Sequence, residues 1–193
     1  MISFAKPSLF SDRSTMSMNN QHFLVVTGLG SDKIGVLEAF TKASKQCGSN
    51  ILESKLTTMG AECVFLAHLT GTWNAIAKLE ATIPQLAQQF GYNIQTKRTF
   101  ARPLENALPY HVQVVAQDRS GILNELSLFF AQQGIRVEKM ECETYTAKNH
   151  TPLTSIVFLI NIPAKSHVAT IRERFIAYCE DRNLDAIMEP FKN

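Results

Sequence analysis

Apolar positions along the chain switch between two periods. Val112-Gln113-Val114-Val115-Ala116 alternates apolar and polar, as a half-buried strand does. Its earlier counterpart, Leu24-Val25-Val26, is an apolar run bounded by Gly28. Each run leads through a loop containing Asp into a 3.6-residue period. Val36, Leu37, Phe40, Ala43 and Cys47 share one helical face, and so do Ile122, Leu123, Leu126, Phe129 and Phe130. Gly48 and Gly134 stand where a helix C-terminus favours a left-handed residue. Further strands are predicted near 50–57, 63–69 and 92–97, and again near 137–143, 155–162 and 185–188. A second helix carries Ile76, Leu79, Ile83, Leu86 and Phe90 in the first half. In the second half it carries Val168, Ile171, Phe175, Tyr178 and Cys179. Pro84 falls inside the first of these patterns and is expected to kink or break it.

The two halves are copies. Asp32-Lys33-Ile34-Gly35-Val36-Leu37 recurs as Asp118-Arg119-Ser120-Gly121-Ile122-Leu123, an offset of 86 residues from Asp32 to Asp118. The same offset carries Gly48 onto Gly134 and Ile51 onto Val137. Matching Val64-Phe65 to Val157-Phe158 widens the offset to 93 and predicts a longer hairpin loop around Thr144 to Thr154. Each copy therefore reads βαββαβ, and the expected class is α+β, two ferredoxin-like domains in tandem. The expected boundaries are a disordered leader at 1–20, a first domain at 21–98, a linker at 99–108 and a second domain at 109–193. A core of that size is marginal alone, and pairing would also cover exposed sheet edges.

The chain has 193 residues, 45% hydrophobic and 19% charged, which suits a globular protein and excludes collagen or a coiled-coil rod. The net charge of +2 is too balanced for a non-specific nucleic-acid binder. No apolar run reaches the ~20 residues that span a bilayer, and the N-terminus lacks the apolar core of a secretory signal. Cys47, Cys63, Cys142 and Cys179 lie far apart, so neither a disulfide framework nor a metal site is expected, and a reducing cytoplasm suits them. Asn149-His150-Thr151 matches a glycosylation sequon only by chance frequency.

Gly28-x-Gly30 after a strand has the start of a dinucleotide turn, with Glu53 at a suitable distance for a ribose acid. Lys33 stands where the third glycine belongs, however, and the second copy lacks both glycines. Lys97-Arg98-Thr99-Phe100-Ala101-Arg102 is basic, but no helix-turn-helix pattern accompanies it, so it is expected to be a solvated linker without direct DNA contact. An RNA-binding sheet would need exposed stacking aromatics, and the one candidate, Phe65, is expected in the core. His22, His68, His111, His150 and His167 form no catalytic or metal spacing, so no catalytic residue and no cofactor is expected. Trp73 is expected to anchor the second helix against the sheet, with contact to a partner protein as the alternative.

The Asp-(Lys/Arg)-x-Gly-(Ile/Val)-Leu turn on a βαββαβ pattern, with Gly48-Ser49-Asn50-Ile51 at the second strand, resembles the ACT domain family. The family's common turn, Asp-Arg-Pro-Gly, lacks its proline in both copies here. From about His22 to the end, Thr70-Gly71-Thr72-Trp73-Asn74-Ala75-Ile76, Lys97-Arg98-Thr99 and their neighbours are similar to tandem ACT regulators of transcription. The first copy carries the better match.

The resemblance implies a non-catalytic cytoplasmic repressor of the glycine cleavage operon. It would act by contact with a LysR-type activator, and glycine or another small amino acid would relieve the contact. It also implies ligand binding at interfaces between paired domains, and allows a homo-oligomer. The alternatives are a constitutive interaction module and a regulatory subunit acting in trans on a biosynthetic enzyme.

An amino acid offers a carboxylate that a helix N-terminus can hold and an ammonium that a carboxylate or amide oxygen can take. The candidate ligand residues are Asp32, Lys33, Gly35 and Asn50 in the first copy, and Asp118, Arg119, Gly121 and Arg136 in the second. Asp32 and Asp118 are expected to cap the helix or face the ammonium, and Gly35 and Gly121 to let the backbone approach closely. The family pattern puts Asp32 and Asn50 along one pocket. Arg136, at the position of Asn50, accepts no hydrogen bond, so the two sites should differ. Leu29, Ile34 and Val36 are the candidates for bulk that would exclude larger side chains.

Overall fold

The computed structural model describes residues 21–191 except 102, 104, 105 and 149. The leader expected at 1–20 and the asparagine of the sequon lie outside the described residues. The chain divides at residues 103/104 into two units. In the first, β1 (His22–Ser31), α1 (Val36–Cys47), β2 (Asn50–Met59), β3 (Glu62–Gly71), α2 (Trp73–Phe90) and β4 (Asn93–Thr99) follow in order. In the second come β5 (Ala107–Gln117), α3 (Ile122–Gln132), β6 (Arg136–Thr146), β7 (Pro152–Pro163), α4 (Val168–Glu180) and β8 (Asp185–Pro190). Each unit has one antiparallel four-stranded sheet, ordered β2-β3-β1-β4 and β6-β7-β5-β8. Both are ferredoxin-like α+β folds, as the repeat predicts.

Alternation along the strands decides which sheet face is covered. In the first unit Leu24 and Val26 of β1 and Cys63, Phe65, Ala67 and Leu69 of β3 are buried against Val36, Phe40 and Ala43 of α1 and Ile76, Leu79 and Ile83 of α2. In the second, Val112, Val114, Ile156, Phe158 and Ile160 meet Leu126, Phe129 and Phe130 of α3 and Ile171 and Phe175 of α4. Fully burying a side chain of this size contributes roughly 1.5–3 kcal/mol. The helical periods in the sequence thus mark most of the core, although Leu37 is half exposed.

β1 does not stop at Gly28; it runs through Gly28 and Gly30 to Ser31. A Cβ on Gly28 would overlap the Phe65 ring, and one on Gly30 would lie 2.6 Å from Cδ2 of Tyr92. The glycines are strand positions roofed by rings, which removes the dinucleotide turn. α2 passes through Pro84 without a break. Pro84 is exposed while Ile76, Leu79 and Ile83 fasten the opposite side, so the missing N–H falls on the solvent side. The first half of the expected basic linker, through Thr99, is strand β4. The expected longer hairpin is present, but Thr144 pairs with Thr154, and the strands run on to Thr146 and begin again at Pro152.

Sheet register also resets the alignment of the copies. Ile51 pairs with Leu69, and Val137 with Ile160. Leu69 therefore corresponds to Ile160, an offset of 91 in the third strand rather than 93. Cys63 then corresponds to Thr154, and Tyr92 at the start of the last strand to Leu184.

Candidate functional site

In both units the turn from the first strand to the first helix ends on a glycine at the helix N-cap. Gly35 has φ 97° and Gly121 has φ 96°, and neither cap carries a side-chain hydrogen bond. Asp32 and Asp118 therefore do not cap these helices. The glycines do not serve close approach either: a Cβ on Gly35 would find Phe90 Cε1 at 3.9 Å, and one on Gly121 would find Glu125 Oε1 at 3.9 Å. Left-handed φ is what requires them. The result is a helix start whose first amides lack an acceptor from a capping side chain, where an anion would be favoured.

The charged residues of the two turns have different surroundings. Lys33 Nζ donates to the Phe90 carbonyl at 2.8 Å, tying the first turn to the C-terminal end of α2. Arg119 makes a two-pronged pair with Glu125 on α3, Nη1 to Oε1 at 2.8 Å and Nη2 to Oε2 at 2.7 Å. Those bonds hold the Glu125 carboxyl below the ordinary carboxylate range. Arg182 Nε stands 4.0 Å from Glu125 Oε2, and its guanidinium lies 3.6 Å over the Tyr178 ring. The Tyr178 hydroxyl donates to the Glu125 carbonyl at 3.1 Å. Asp118 Oδ1 accepts a 2.6 Å hydrogen bond from Thr154 Oγ1, and the Asp118 N–H donates to the Pro152 carbonyl at 2.9 Å. Asp32 is exposed and has no hydrogen bond or ion pair among the described residues.

The strand-two candidates lie elsewhere. Asn50 pairs with Thr70, which pairs with Phe23 near the start of β1, whereas Asp32 follows its end. Nine strand positions at ~3.3 Å put the two roughly 30 Å apart within one unit. Arg136 is likewise level with Asn161 and Pro109, at the far end of the sheet from Asp118. The bulk candidates do not converge: Leu29 is on the open sheet face, Ile34 is fully exposed and Val36 is in the core.

Other residues near the turns escaped the sequence reading. Tyr92 lies over Gly30, and Thr154 stands where the first unit has Cys63. The correct third-strand offset would have pointed to Thr154; nothing in the local pattern singles out Tyr92. Trp73 does not anchor α2 against the sheet: it is 54% exposed, with the Arg98 guanidinium 5.6 Å from its ring centroid. Thr72 provides the cap instead, its Oγ1 accepting from Ala75 N at 3.2 Å. Arg98 is itself paired with Glu80, Nη2 to Oε2 at 2.7 Å.

Comparison with known proteins completes the picture. A family model for the ACT domain matches residues 22–97. The glycine cleavage system transcriptional repressor of Escherichia coli K12 is 32% identical over 171 residues, covering 87% of this chain and 90% of that protein. The chain belongs to this family of tandem ACT-domain proteins. A crystal structure described as a candidate glycine cleavage system transcriptional repressor superposes with a TM-score of 0.67 at 26% identity, covering 90% of this chain and 99% of the other. A protein of unknown role from Galdieria sulphuraria shares the fold, with a TM-score of 0.71, 20% identity, and coverage of 89% and 99%. The repressor relatives support a regulatory role for the tandem ACT chain. Among the described residues, no helix is long and apolar enough to cross a membrane and no cluster of ligating side chains could hold a metal.

Proposed function

We propose that this tandem ACT chain is a non-catalytic, cytoplasmic repressor of the glycine cleavage operon that works by protein contact. Its partner is a LysR-type activator, and glycine or a similarly small amino acid weakens the contact. The observation that carries the sensing half is the left-handed glycine at a helix start without a side-chain cap. The amides beyond Gly35 offer a place for an α-carboxylate, and Asp32 offers one for the ammonium. Lys33 holds the turn to α2 rather than facing the ligand. Repression by contact rather than by DNA binding accords with the near-zero net charge and with Arg98 spent on Glu80.

A ligand shifts partner binding only through its differential affinity for the binding-competent and incompetent states. Moving a population from 1:99 to 99:1 takes about 10⁴-fold preference, so a small zwitterion is expected to give graded relief. The test is capture of the purified activator by the full chain, with and without millimolar glycine. Reduced capture with glycine, lost in Asp32→Asn, supports the reading; identical capture in both conditions overturns the gating. The paired charges of the second turn favour a second reading for that copy alone, a constitutive interaction module.

A further inference from the structure

We propose that the two turns have separate roles: the first is the amino-acid site, with Tyr92 as a recognition residue beside Asp32, and the second has committed its polar groups to the fold. This rests on the amino-acid reading above and fixes which copy binds and how many molecules.

The contrast begins at one pair of equivalent residues. Thr154 in β7 donates to Asp118 at 2.6 Å. Its counterpart in β3 is Cys63, whose thiol is a weak donor. Asp32 is consequently left exposed, with no hydrogen bond or ion pair among the described residues. Arg119, Glu125, Arg182 and Tyr178 form a closed network around the second turn. In the first, Lys33 donates instead to the Phe90 carbonyl at the end of α2. An entering ammonium would meet an unmatched carboxylate at the first turn. At the second it would have to displace Thr154.

The second observation is Tyr92. It is 5% exposed, and its ring lies across Gly30, the strand position paired with Cys63. The hydroxyl is buried beside the Cys63 thiol, a weak partner, and completes no hydrogen bond. Burial first, then Cys63 and the charges of Asp32 and Glu62, push the phenol up to about 12, so it stays protonated and can donate. A buried donor without an acceptor is costly, and a fold needing only a ring here could use phenylalanine. The second unit fills the equivalent position with Leu184, which has no polar group. A zwitterion held between Asp32 and the amides of α1 supplies the missing acceptor through its carboxylate.

The experiment is an NMR titration of the full chain with glycine, following the amides of residues 32–36 and 118–122, with melting temperatures for each variant. Shifts confined to 32–36 are expected, with a single class of site. Asp32→Asn should abolish them. Tyr92→Phe should weaken affinity about tenfold, the loss of one hydrogen bond to a charged group. A merely structural Tyr92 predicts the reverse pattern, because removing an unpartnered hydroxyl leaves the melting temperature unchanged or raises it. Asp118→Asn should lower the melting temperature and leave glycine affinity unchanged. Shifts at 118–122, or Tyr92→Phe binding like the parent, overturn this proposal while leaving amino-acid sensing in place. No shift at either turn with millimolar glycine, alanine or serine overturns the sensing reading, and this proposal with it.

Discussion

Gly28 and Gly30 show how one missing Cβ can do two unlike jobs. They are flat strand residues beneath Phe65 and Tyr92, whereas Gly35 holds φ 97° and a Cβ there would meet only Phe90, at an ordinary 3.9 Å contact. The second unit solves the strand problem with Val114 facing Ile156, and with Ala116 and Leu184 in one core, trading a small–large pair for residues of middling size. Gly28→Ala is therefore expected to cost about 1–3 kcal/mol through overpacking. Gly28→Val combined with Phe65→Ile should recover most of that loss, measured by urea unfolding. Gly35→Ala should cost about 1–2 kcal/mol through its left-handed backbone, and trimming Phe90 should not relieve it. From the sequence both kinds of glycine look like turn residues, because the ring that roofs a strand glycine arrives from a distant strand. Thiols divide in the same way. Cys142 is exposed, while burial pushes the Cys179 thiol up to about 12. Alkylation of the folded chain near pH 8 should modify Cys142 first and spare Cys179, as peptide mass spectrometry can check.

Among the elements, the helices were legible and the hairpins only in part. The 3.6-residue period identifies Phe40, Ile76, Leu79, Leu126 and Phe175 as core because burial on one face is what stabilises such helices. The break expected at Pro84 does not occur, because its cost depends on which side of the helix loses the hydrogen bond, and α2 turns that side outward. The Val-Phe match that set the third-strand offset at 93 compared residue types. Register depends instead on pairing, which put the difference into five more residues between Tyr145 and Leu153 than between Met59 and Glu62. The joint of α3 to its turn through Arg119 and Glu125 makes a pH-dependent contribution. The folded carboxyl is depressed, so its stabilisation is present above the ordinary glutamate pKa of about 4.3 and fades as pH falls through the lower folded value. Glu125→Gln should thus melt lower than the parent near neutral pH. The gap should close as pH falls through that lowered value, and a gap independent of pH would assign it to packing.

At the scale of the whole molecule, duplication was legible because the βα turn is short and its residues are fixed by backbone conformation. What the repeat concealed is divergence: the same Asp-x-x-Gly sits above Cys63 and Tyr92 in one copy and above Thr154 and Leu184 in the other. That difference spans three strands and has no local signature. The two cores share no residue, since Leu24 through Tyr92 make one and Val112 through Met188 the other. Each unit must therefore meet its own conformational entropy with its own buried surface. Leu126 is fully buried in the second core and Leu79 in the first. Leu126→Ala should cost about 2–5 kcal/mol, a large share of the 5–15 kcal/mol typical of a whole domain. Amide exchange should then accelerate along β5, β7 and α3 while β1, β3 and α2 keep their protection. Leu79→Ala should produce the converse pattern. Equal acceleration in both units by either variant would show that they unfold as one cooperative body, and separate cores would not by themselves make separate folding units.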